Sequence, residues 1–201
     1  MIELIIVIVV AGILAAVMIP KMERDSLREA ANQLVRHIQY TQHLAMVDDV
    51  YDTTAVRKNG TPGWERGLWS INFRKNNCYA VQSDRDYSGG SKREESAVDP
   101  ATNTYLYSNT KCTKDKNDNS DLLLKDKYDV TIALSKGCKK KTEMYISFDN
   151  LGRPLKNRRV ANPITESSAC TITLESSSKR KAVITVEPET GYTHITSFDS
   201  F

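Results

Sequence analysis

The feature that most constrains this chain is the apolar run with which it begins, MIELIIVIVVAGILAAVMIP, whose one charged residue is Glu3. From Leu4 to Pro20 no side chain is polar or charged. A helix over that stretch would extend about 25 Å, close to the ~30 Å thickness of a hydrocarbon layer. The run therefore predicts a membrane-spanning helix over residues 1–20, with the carboxylate of Glu3 near one end.

Two alternatives for this run are a cleaved signal peptide and a plain signal anchor. A signal peptide has basic residues before its apolar part, whereas two uncharged residues and an acid precede the run here. A plain anchor followed by Lys21, Arg24 and Arg28 would leave the rest of the chain in the cytoplasm by the positive-inside rule. A cytoplasmic location disagrees with the disulfide bonds that the four cysteines favour, as the next paragraph describes. The disagreement disappears if a basic leader once preceded Met1.

The four cysteines all lie in the polar part of the chain, namely Cys78, Cys112, Cys138 and Cys170. They include no C-x-x-C pair and have no nearby histidine, which argues against zinc or iron–sulfur ligation. An even number behind a membrane segment favours two disulfide bonds in an oxidising compartment, and four reduced thiols are the alternative. The residues do not decide among the three possible pairings, although Cys78 with Cys112 and Cys138 with Cys170 is slightly preferred.

The segment 1–20 resembles the N-terminal segment of type IV pilins and type II secretion pseudopilins. The resemblance is carried by the spacing of a glutamate and a proline (Glu3 and Pro20), the aliphatic run between them, Gly12 and the sequence ILAA. It implies that Glu3 pairs with the free α-amino group of a neighbouring subunit, because an unneutralised carboxylate is unfavourable in lipid. It also implies that Gly12 permits close helix approach or unwinding, and that the helix kinks at Pro20.

The same resemblance predicts where the chain starts and where it resides. Members of the family carry a short basic leader that ends in glycine, and by alignment Met1 lies two positions inside the mature start. We therefore expect the true start to lie upstream of Met1, and the alternative is that the processing typical of the family is absent. The resemblance implies a single-pass protein of the bacterial inner membrane with a periplasmic C-terminal domain, and an assembled filament in the periplasm or at the cell surface.

Residues 21–50 are predicted to continue the helix as an amphipathic segment. Apolar residues recur there at steps of three, four and seven, namely Leu27, Ala31, Leu34, Ile38 and Ala45. Charged and polar residues lie between them, so the segment has one apolar stripe. The first half of the whole helix is expected to pack on other subunits and the second half on its own domain.

Residues 51–201 predict a β-rich domain. Short alternating segments joined by turn sequences occur at 68–73, 78–81, 128–135, 143–148, 170–174, 182–186 and 192–196. The first two flank the sequence RKNN and are predicted to form a hairpin. Residues 84–121 are rich in Ser, Asp, Asn and Lys and are predicted to be a flexible loop region. The predicted fold class is thus α+β and pilin-like, with a long N-terminal helix, membrane-spanning in its first half, packed on a C-terminal antiparallel β-sheet.

A second resemblance spans residues 143–196. The sequences ISFDNLGRP (146–154), TITL (171–174) and ITVEPETG (184–191) look like the strand, F-x-x-x-G, strand, strand, G layout of the GspH/FimT-type minor pseudopilin domain. It implies a structural subunit that joins or caps a type II secretion pseudopilus or a type IV pilus. The implied partners are other pilin or pseudopilin subunits and the inner membrane with its assembly platform.

The sequence contains no catalytic signature. Its three histidines, His37, His43 and His194, are scattered, and no metalloprotease, serine hydrolase, P-loop or dinucleotide motif is present. We therefore predict that the protein is not an enzyme and needs no cofactor.

One polar segment resembles a calcium-binding loop, with oxygen-bearing side chains at alternate positions: Asp115, Asn117, Asn119 and Asp121. Ser120 replaces the glycine of such loops, and Asp126 stands where they have a glutamate. A solvated polar loop is therefore the favoured interpretation, and calcium is the alternative.

Basic residues cluster at three places near predicted strand ends: Lys139, Lys140 and Lys141; Lys156, Arg158 and Arg159; and Lys179, Arg180 and Lys181. A net charge of +3 is too small to imply nucleic acid by itself, and charge runs are usually solvated. If the three clusters converge, however, they would form a patch for phosphates. The alternative function is therefore that of a DNA-binding minor pilin of a DNA-uptake pilus.

Overall fold

The structure is a computed structural model that describes residues 6–10, 12, 25–55, 63–90, 92–139, 144–158 and 162–199. Its longest described helix is α1 (Ser26–Val47), and a short helix, α2 (Leu124–Tyr128), comes later. The strands are β1 (Ser70–Arg74), β2 (Cys78–Gln82), β3 (Val130–Leu134), β4 (Tyr145–Phe148), β5 (Pro154–Lys156), β6 (Cys170–Ser176), β7 (Lys181–Val186) and β8 (Thr193–Phe198). They form two antiparallel sheets of four strands each.

Helix α1 lies against both sheets. It begins after Asp25, whose carboxylate accepts a hydrogen bond from the backbone N–H of Arg28 at 3.3 Å and so caps the first turn. The apolar stripe that the spacing predicted is completely or almost completely buried: Leu27, Ala31, Leu34, Ile38 and Ala45. Ala30, which was not part of the prediction, is buried beside them. These side chains form one core with residues of the two sheets.

The first sheet has the strand order β2-β1-β4-β5. Strands β1 and β2 form the predicted hairpin, and its turn places Asn77 at a φ of 63°, a conformation that asparagine tolerates better than most residues. Strand β4 then pairs with β1 on the other side, and β5 with β4. The segment from 84 to 121 has little regular structure, but the backbone of Val81 in β2 bonds to both Ala97 and Leu106.

The second sheet has the strand order β3-β6-β7-β8. Burial alternates strictly along β6, and nearly so along β7, because one face packs on α1 and the other faces solvent. Strands β6 and β7 are joined by a turn that contains Lys179 at a φ of 67°. An irregularity at Val183 and Ile184 shifts the register between β7 and β8.

The predicted fold class is contradicted. In the part of the chain that the structure describes, no helix is both long enough and apolar enough to cross a membrane, so the expected single-pass location in the inner membrane is not supported either. The only described helix of seven residues or more is α1, which carries charged residues such as Glu29 and Arg36 between its apolar positions. That pattern suits a helix packed on its own domain, and the strands that it covers form two sheets, not one.

Candidate assembly surfaces

A short apolar segment near the start of the chain is exposed. Residues Ile6–Val10 are helical, and their side chains are between 49% and 66% exposed, whereas the aliphatic side chains facing the domain core are almost wholly buried. Gly12 is helical too, and a Cβ added there would meet no atom within 4 Å. The described part of the chain therefore does not cover this apolar segment. Glu3 and Pro20, the other two residues of the predicted assembly motif, lie outside the described residues.

A second group of exposed apolar side chains lies where α1 ends. We call it the tip surface, and it consists of Met46, Val47, Tyr51, Leu151 and Tyr192. The Met46 sulfur lies 3.0 Å from the place that a Cβ on Gly152 would occupy, which brings Leu151 beside the last turn of α1. Tyr51 packs edge-to-face on Trp64 at 5.1 Å and lines a cleft with the turn that holds Leu151.

The tip surface is held in place by two turns that meet. The carboxylate of Asp149 accepts hydrogen bonds from the backbone of Leu151 and from the backbone and side chain of Arg153. Gln42 of α1 then donates to the carbonyl oxygens of Gly152 at 2.9 Å and of Thr190 at 2.7 Å. These bonds join the turn after β4 and the turn after β7 to the helix.

The two glycines of the second resemblance lie at this junction. Gly152 and Gly191 have φ angles of 78° and 67°, which favour glycine. A Cβ on Gly191 would lie 2.6 Å from the carbonyl oxygen of Gly152, so a side chain there would force the two turns apart. The two glycines thus indicated both turns in the sequence, but the contact between the turns could not be predicted from it.

The predicted disulfide bonds are confirmed. Cys78 is bonded to Cys112 and Cys138 to Cys170, with Cα–Cα distances of 5.7 and 4.4 Å, and this is the pairing of neighbours that the sequence slightly favoured. The first bond joins β2 to the loop around residue 110, and the second joins the segment after β3 to the start of β6. Two such bonds are typical of proteins from an oxidising compartment.

The side chains of the calcium-loop prediction have separate partners. Asp115 pairs with Arg93, and Asp121 pairs with Lys127. Asn119 is buried, where its oxygen accepts from the backbone of Asp121 and its nitrogen donates to Asp99. For Asn117 the structure shows a backbone bond, in which its carbonyl oxygen accepts from the N–H of Tyr105. Three of the four predicted ligands thus hold parts of the loop together.

The basic clusters lie at different ends of the second sheet. Lys139 follows Cys138, which is bonded to the first residue of β6, and Lys156 donates to Ser168 close to that same end. The turn at 179–181 lies beyond the last residue of β6, seven residues or about 20 Å away. Lys140, Lys141 and Arg159 lie outside the described residues.

Most of the described basic side chains already have partners. Arg180 pairs with Asp25 at 3.3 Å, and the ammonium groups of Lys179 and Lys181 both lie within 4 Å of the carboxylate of Glu175. The side chain of Arg158 is only 11% exposed and faces Asp84. These contacts do not favour a shared phosphate-binding patch, and DNA binding stays a prediction without structural support.

Three carboxylates that no sequence motif connects have oxygen atoms within 4.8 Å of one another: Asp84, Asp86 and Glu95. Asp84 is buried and faces Arg66 and Arg158, each at 3.6 Å. Asp86 pairs with Lys92, and this hydrogen bond is the main reason that the pKa of Asp86 lies well below its usual range. Because cations already balance these charges, we interpret the group as an ion-pair cluster.

His37 connects α1 to the first sheet through buried polar groups. Gln33 donates to Nε2 of the histidine at 2.9 Å, so the other ring nitrogen, Nδ1, carries the proton and donates to the hydroxyl of Tyr79 at 2.8 Å. Burial lowers the pKa of His37 from 6.5 to about 4, against the opposing effect of nearby Asp99 and Asp121. The ring is therefore neutral at neutral pH and serves as a fixed link between helix and sheet.

Comparisons with protein-family models, with curated proteins and with solved structures find no match for this chain. Its function must therefore be inferred from the residues and surfaces described above. Among them, the exposed apolar segment at residues 6–10 is the feature whose chemistry most directly requires a partner.

Proposed function

We propose that this protein is a structural subunit, a minor pilin or pseudopilin that assembles into or caps a type II secretion pseudopilus or a type IV pilus. The observation that carries the proposal is the exposed apolar helical segment Ile6–Val10, which precedes a helix packed on a disulfide-braced domain. The resemblance of the segment 1–20 to the pilin N-terminal segment supports the same conclusion.

The energetics of the exposed segment explain why assembly is favourable. Five consecutive aliphatic side chains are at least half or nearly half exposed, and burying one such side chain fully contributes about 1.5–3 kcal/mol. Packing against the same segment of neighbouring subunits removes this surface from water without any change in the folded domain. The segment therefore supplies affinity that is largely independent of sequence detail.

The carboxylate of Glu3 would supply direction to this packing. In an apolar assembly an unpaired carboxylate is unfavourable, so the arrangement in which Glu3 meets the α-amino group of a neighbour is preferred over shifted arrangements. Apolar contacts alone are poorly directional, since any sliding of two aliphatic helices keeps similar contacts. The pairing of Glu3 would thus set the register between subunits.

The domain would provide the contacts on the outside of the assembly. Helix α1 and the two sheets form one core, and Gln42 holds the two turns that carry Leu151 and Tyr192 against the end of the helix. The tip surface is thereby presented on a rigid frame. Its exposed apolar side chains are suited to contact a neighbouring subunit.

The test is incorporation of the full chain into filaments sheared from the cells that produce it, measured by immunoblot relative to the total amount of chain. We expect Val7→Asp and Glu3→Ala each to reduce incorporation about tenfold or more, because each removes an interaction worth about 1.4 kcal/mol or more. A matched control is Val98→Asp, which places the same charge on an exposed valine of the domain.

The control separates the loss of an assembly contact from a general loss of folding caused by an added charge. Val98→Asp should be incorporated like the unchanged chain, since Val98 lies far along the sequence from the assembly segment. If the unchanged chain is absent both from filaments sheared off the cell surface and from filaments isolated from the periplasm, or if Val7→Asp and Glu3→Ala are incorporated normally, the proposal is wrong.

A further inference from the structure

The first sheet borders a cavity of about 320 Å³ beside the β1–β2 turn. Its polar lining comes from Asn72, Arg74, Lys75, Thr110 and Tyr145. Two of these side chains are cations, and none of the described lining residues is acidic. We propose that this cavity is a binding site for a phosphate group carried by a small molecule.

The sheet face next to the cavity is polar and buried. Ser70, Asn72 and Ser147 lie on the same face of the sheet and are each at most 2% exposed. Among the described residues, the side-chain nitrogen of Asn72 and the hydroxyl of Ser147 have no hydrogen-bond partner. Buried donors of this kind are rare, and an ion or a water that binds to them is one of the recognised reasons for them. The nitrogen of Asn72 therefore points to an acceptor that belongs in this cavity.

Two guanidinium groups flank the asparagine. Arg74 follows it by two residues on the same strand face and interacts with the hydroxyl of Tyr145. On the other side Arg158 lies 4.9 Å from the centre of the Tyr145 ring, and its Nε donates to Ser70 at 3.0 Å. One further nitrogen of Arg158 has no partner among the described residues. The nitrogen donors of three side chains thus surround one region of the sheet face.

The electrostatic environment of this region favours an anion. Burial lowers the pKa of Arg74 and of Arg158, and the charge of Arg74 adds to the effect at Arg158 because the two guanidinium groups repel. The acidic groups that act on Arg158 are Asp84 at 3.6 Å and Glu95. A phosphate in the cavity would place negative charge beside the two guanidinium groups and would reduce their repulsion. Its oxygens would also accept charge-assisted hydrogen bonds from them.

The wall of the cavity opposite β1 is the loop that carries Thr110, and several bonds hold this loop in place. The side-chain oxygen of Asn109 accepts from the backbone of Lys111 at 3.0 Å and of Thr113 at 3.1 Å. Asn76 then donates to the carbonyl oxygen of Thr110 at 3.2 Å, and the disulfide at Cys112 ties the same loop to β2. The hydroxyl of Thr110 is therefore presented by a rigid loop and not by a mobile one.

The chemistry of the lining identifies the class of ligand. A guanidinium, an ammonium, an amide nitrogen and two hydroxyls match the several acceptor oxygens of a phosphate group better than a halide or a cation. The volume lies within the ~300–1,000 Å³ typical of small-molecule sites, so there is room for the organic part of a phosphate ester. The partly buried Met144 provides apolar surface for that part.

The proposal is tested by isothermal titration of the purified full chain with inorganic phosphate and with glycerol 3-phosphate at constant ionic strength. We expect saturable binding with one ligand per chain, weakened about tenfold or more by Arg74→Gln, because a charge-assisted hydrogen bond is lost. Lys75→Gln, at an exposed position, should fold like the unchanged chain and weaken binding severalfold. The control Lys136→Gln removes the same charge from another exposed lysine and should leave the affinity unchanged.

A second arm identifies the source of the phosphate. Sedimentation with vesicles that contain phosphatidylglycerol, compared with vesicles of phosphatidylcholine, shows whether a lipid headgroup is bound. Binding of glycerol 3-phosphate without vesicle binding supports a soluble ester, and vesicle binding lost in Lys75→Gln but not in Lys136→Gln supports a headgroup. The proposal is overturned if no phosphate compound binds saturably, or if the Lys75 and Lys136 variants behave alike.

Discussion

The two sheets of this protein bury their side chains in different ways. In the first sheet β2 is buried throughout, and every residue of β1 except Arg74 is buried as well. In the second sheet β6 alternates strictly between buried and partly exposed residues. The reason is that α1 covers one face of each sheet, while the outer face of the first sheet is also covered, by Arg158 and by the loop that Cys112 ties to β2.

This difference shows what each kind of burial requires. A sheet with one solvated face needs only apolar residues at alternate positions, and its polar residues find water. A sheet that is covered on both sides buries its polar side chains too, and they need partners from elsewhere in the chain. Ser70 of β1 finds such a partner in Arg158, 88 residues later. The first sheet is therefore the part of the molecule in which single polar substitutions should have large effects.

The largest effect is expected for Arg158→Met, which removes one partner of the buried contact with Asp84. We expect the free energy of unfolding to fall by about 3 kcal/mol, because the carboxylate of Asp84 stays buried with fewer partners. Methionine keeps much of the length of the side chain, so the loss reports on charge more than on packing. The measurement is urea unfolding followed by circular dichroism at neutral pH.

The matched control is Lys179→Met in the second sheet. Lys179 is in the turn after β6, its side chain is 84% exposed, and it faces Glu175 at 3.1 Å. An exposed pair of this kind contributes about 0–1 kcal/mol, so the change should be small. Equal losses for the two variants would mean that Arg158 is no more structural than a surface lysine, and the contrast between the sheets would fail.

The features that could be predicted from the sequence differ from those that could not in how far apart their residues lie along the chain. Alternation and turn residues identified β6, β7 and the β1–β2 hairpin, since those signals come from neighbouring residues. Strand β5 was not predicted, because it has three residues and begins with Pro154, which an edge strand tolerates. The division into two sheets was missed as well, because β1 takes β4 as its partner from a distant part of the sequence.

The candidate sites divide along the same line. The four cysteines and the apolar segment could be recognised because residue type alone indicates their chemistry. The cavity beside β1 could not, since Asn72, Thr110 and Tyr145 come together only in the folded chain. Arg158 was predicted at the surface as part of a basic cluster, whereas its nearest acid, Asp84, lies much earlier in the chain and gave no signal.

The second prediction concerns the link between α1 and the first sheet through His37 and Tyr79. The pKa of His37 is about 4 in the folded protein and near 6.5 in an unfolded chain, so the unfolded state binds more protons between these values. This contribution to stability is fully present above pH 6.5 and is lost as the pH falls towards 4, by about 3 kcal/mol in total. The groups that face the ring include Asp99, Asp121 and Arg36.

The measurement is the free energy of unfolding in urea at pH 7.5, 6.5, 5.5 and 4.5, compared with the variant His37→Gln. The unchanged chain should lose more stability than the variant over this range, whatever the variant's stability at pH 7.5. His43→Gln, at an exposed histidine of the same helix, is the control and should keep the full pH dependence. Parallel curves for the unchanged chain and His37→Gln would contradict the assignment.

The smallest effect is expected for Ser147→Ala in the first sheet, which should stabilise the protein although it removes a polar group. The hydroxyl of Ser147 is completely buried and has no partner among the described residues, so its removal should raise the free energy of unfolding by about 1 kcal/mol. Thr173→Ala is the matched change on the solvated face of the second sheet, also in an inner strand, and should lower stability by up to about 0.5 kcal/mol through weaker β propensity. Urea unfolding of both variants decides the point. If Ser147→Ala is less stable than the unchanged chain, the hydroxyl has a partner in solution, and the outer face of the first sheet is better satisfied than its contacts indicate.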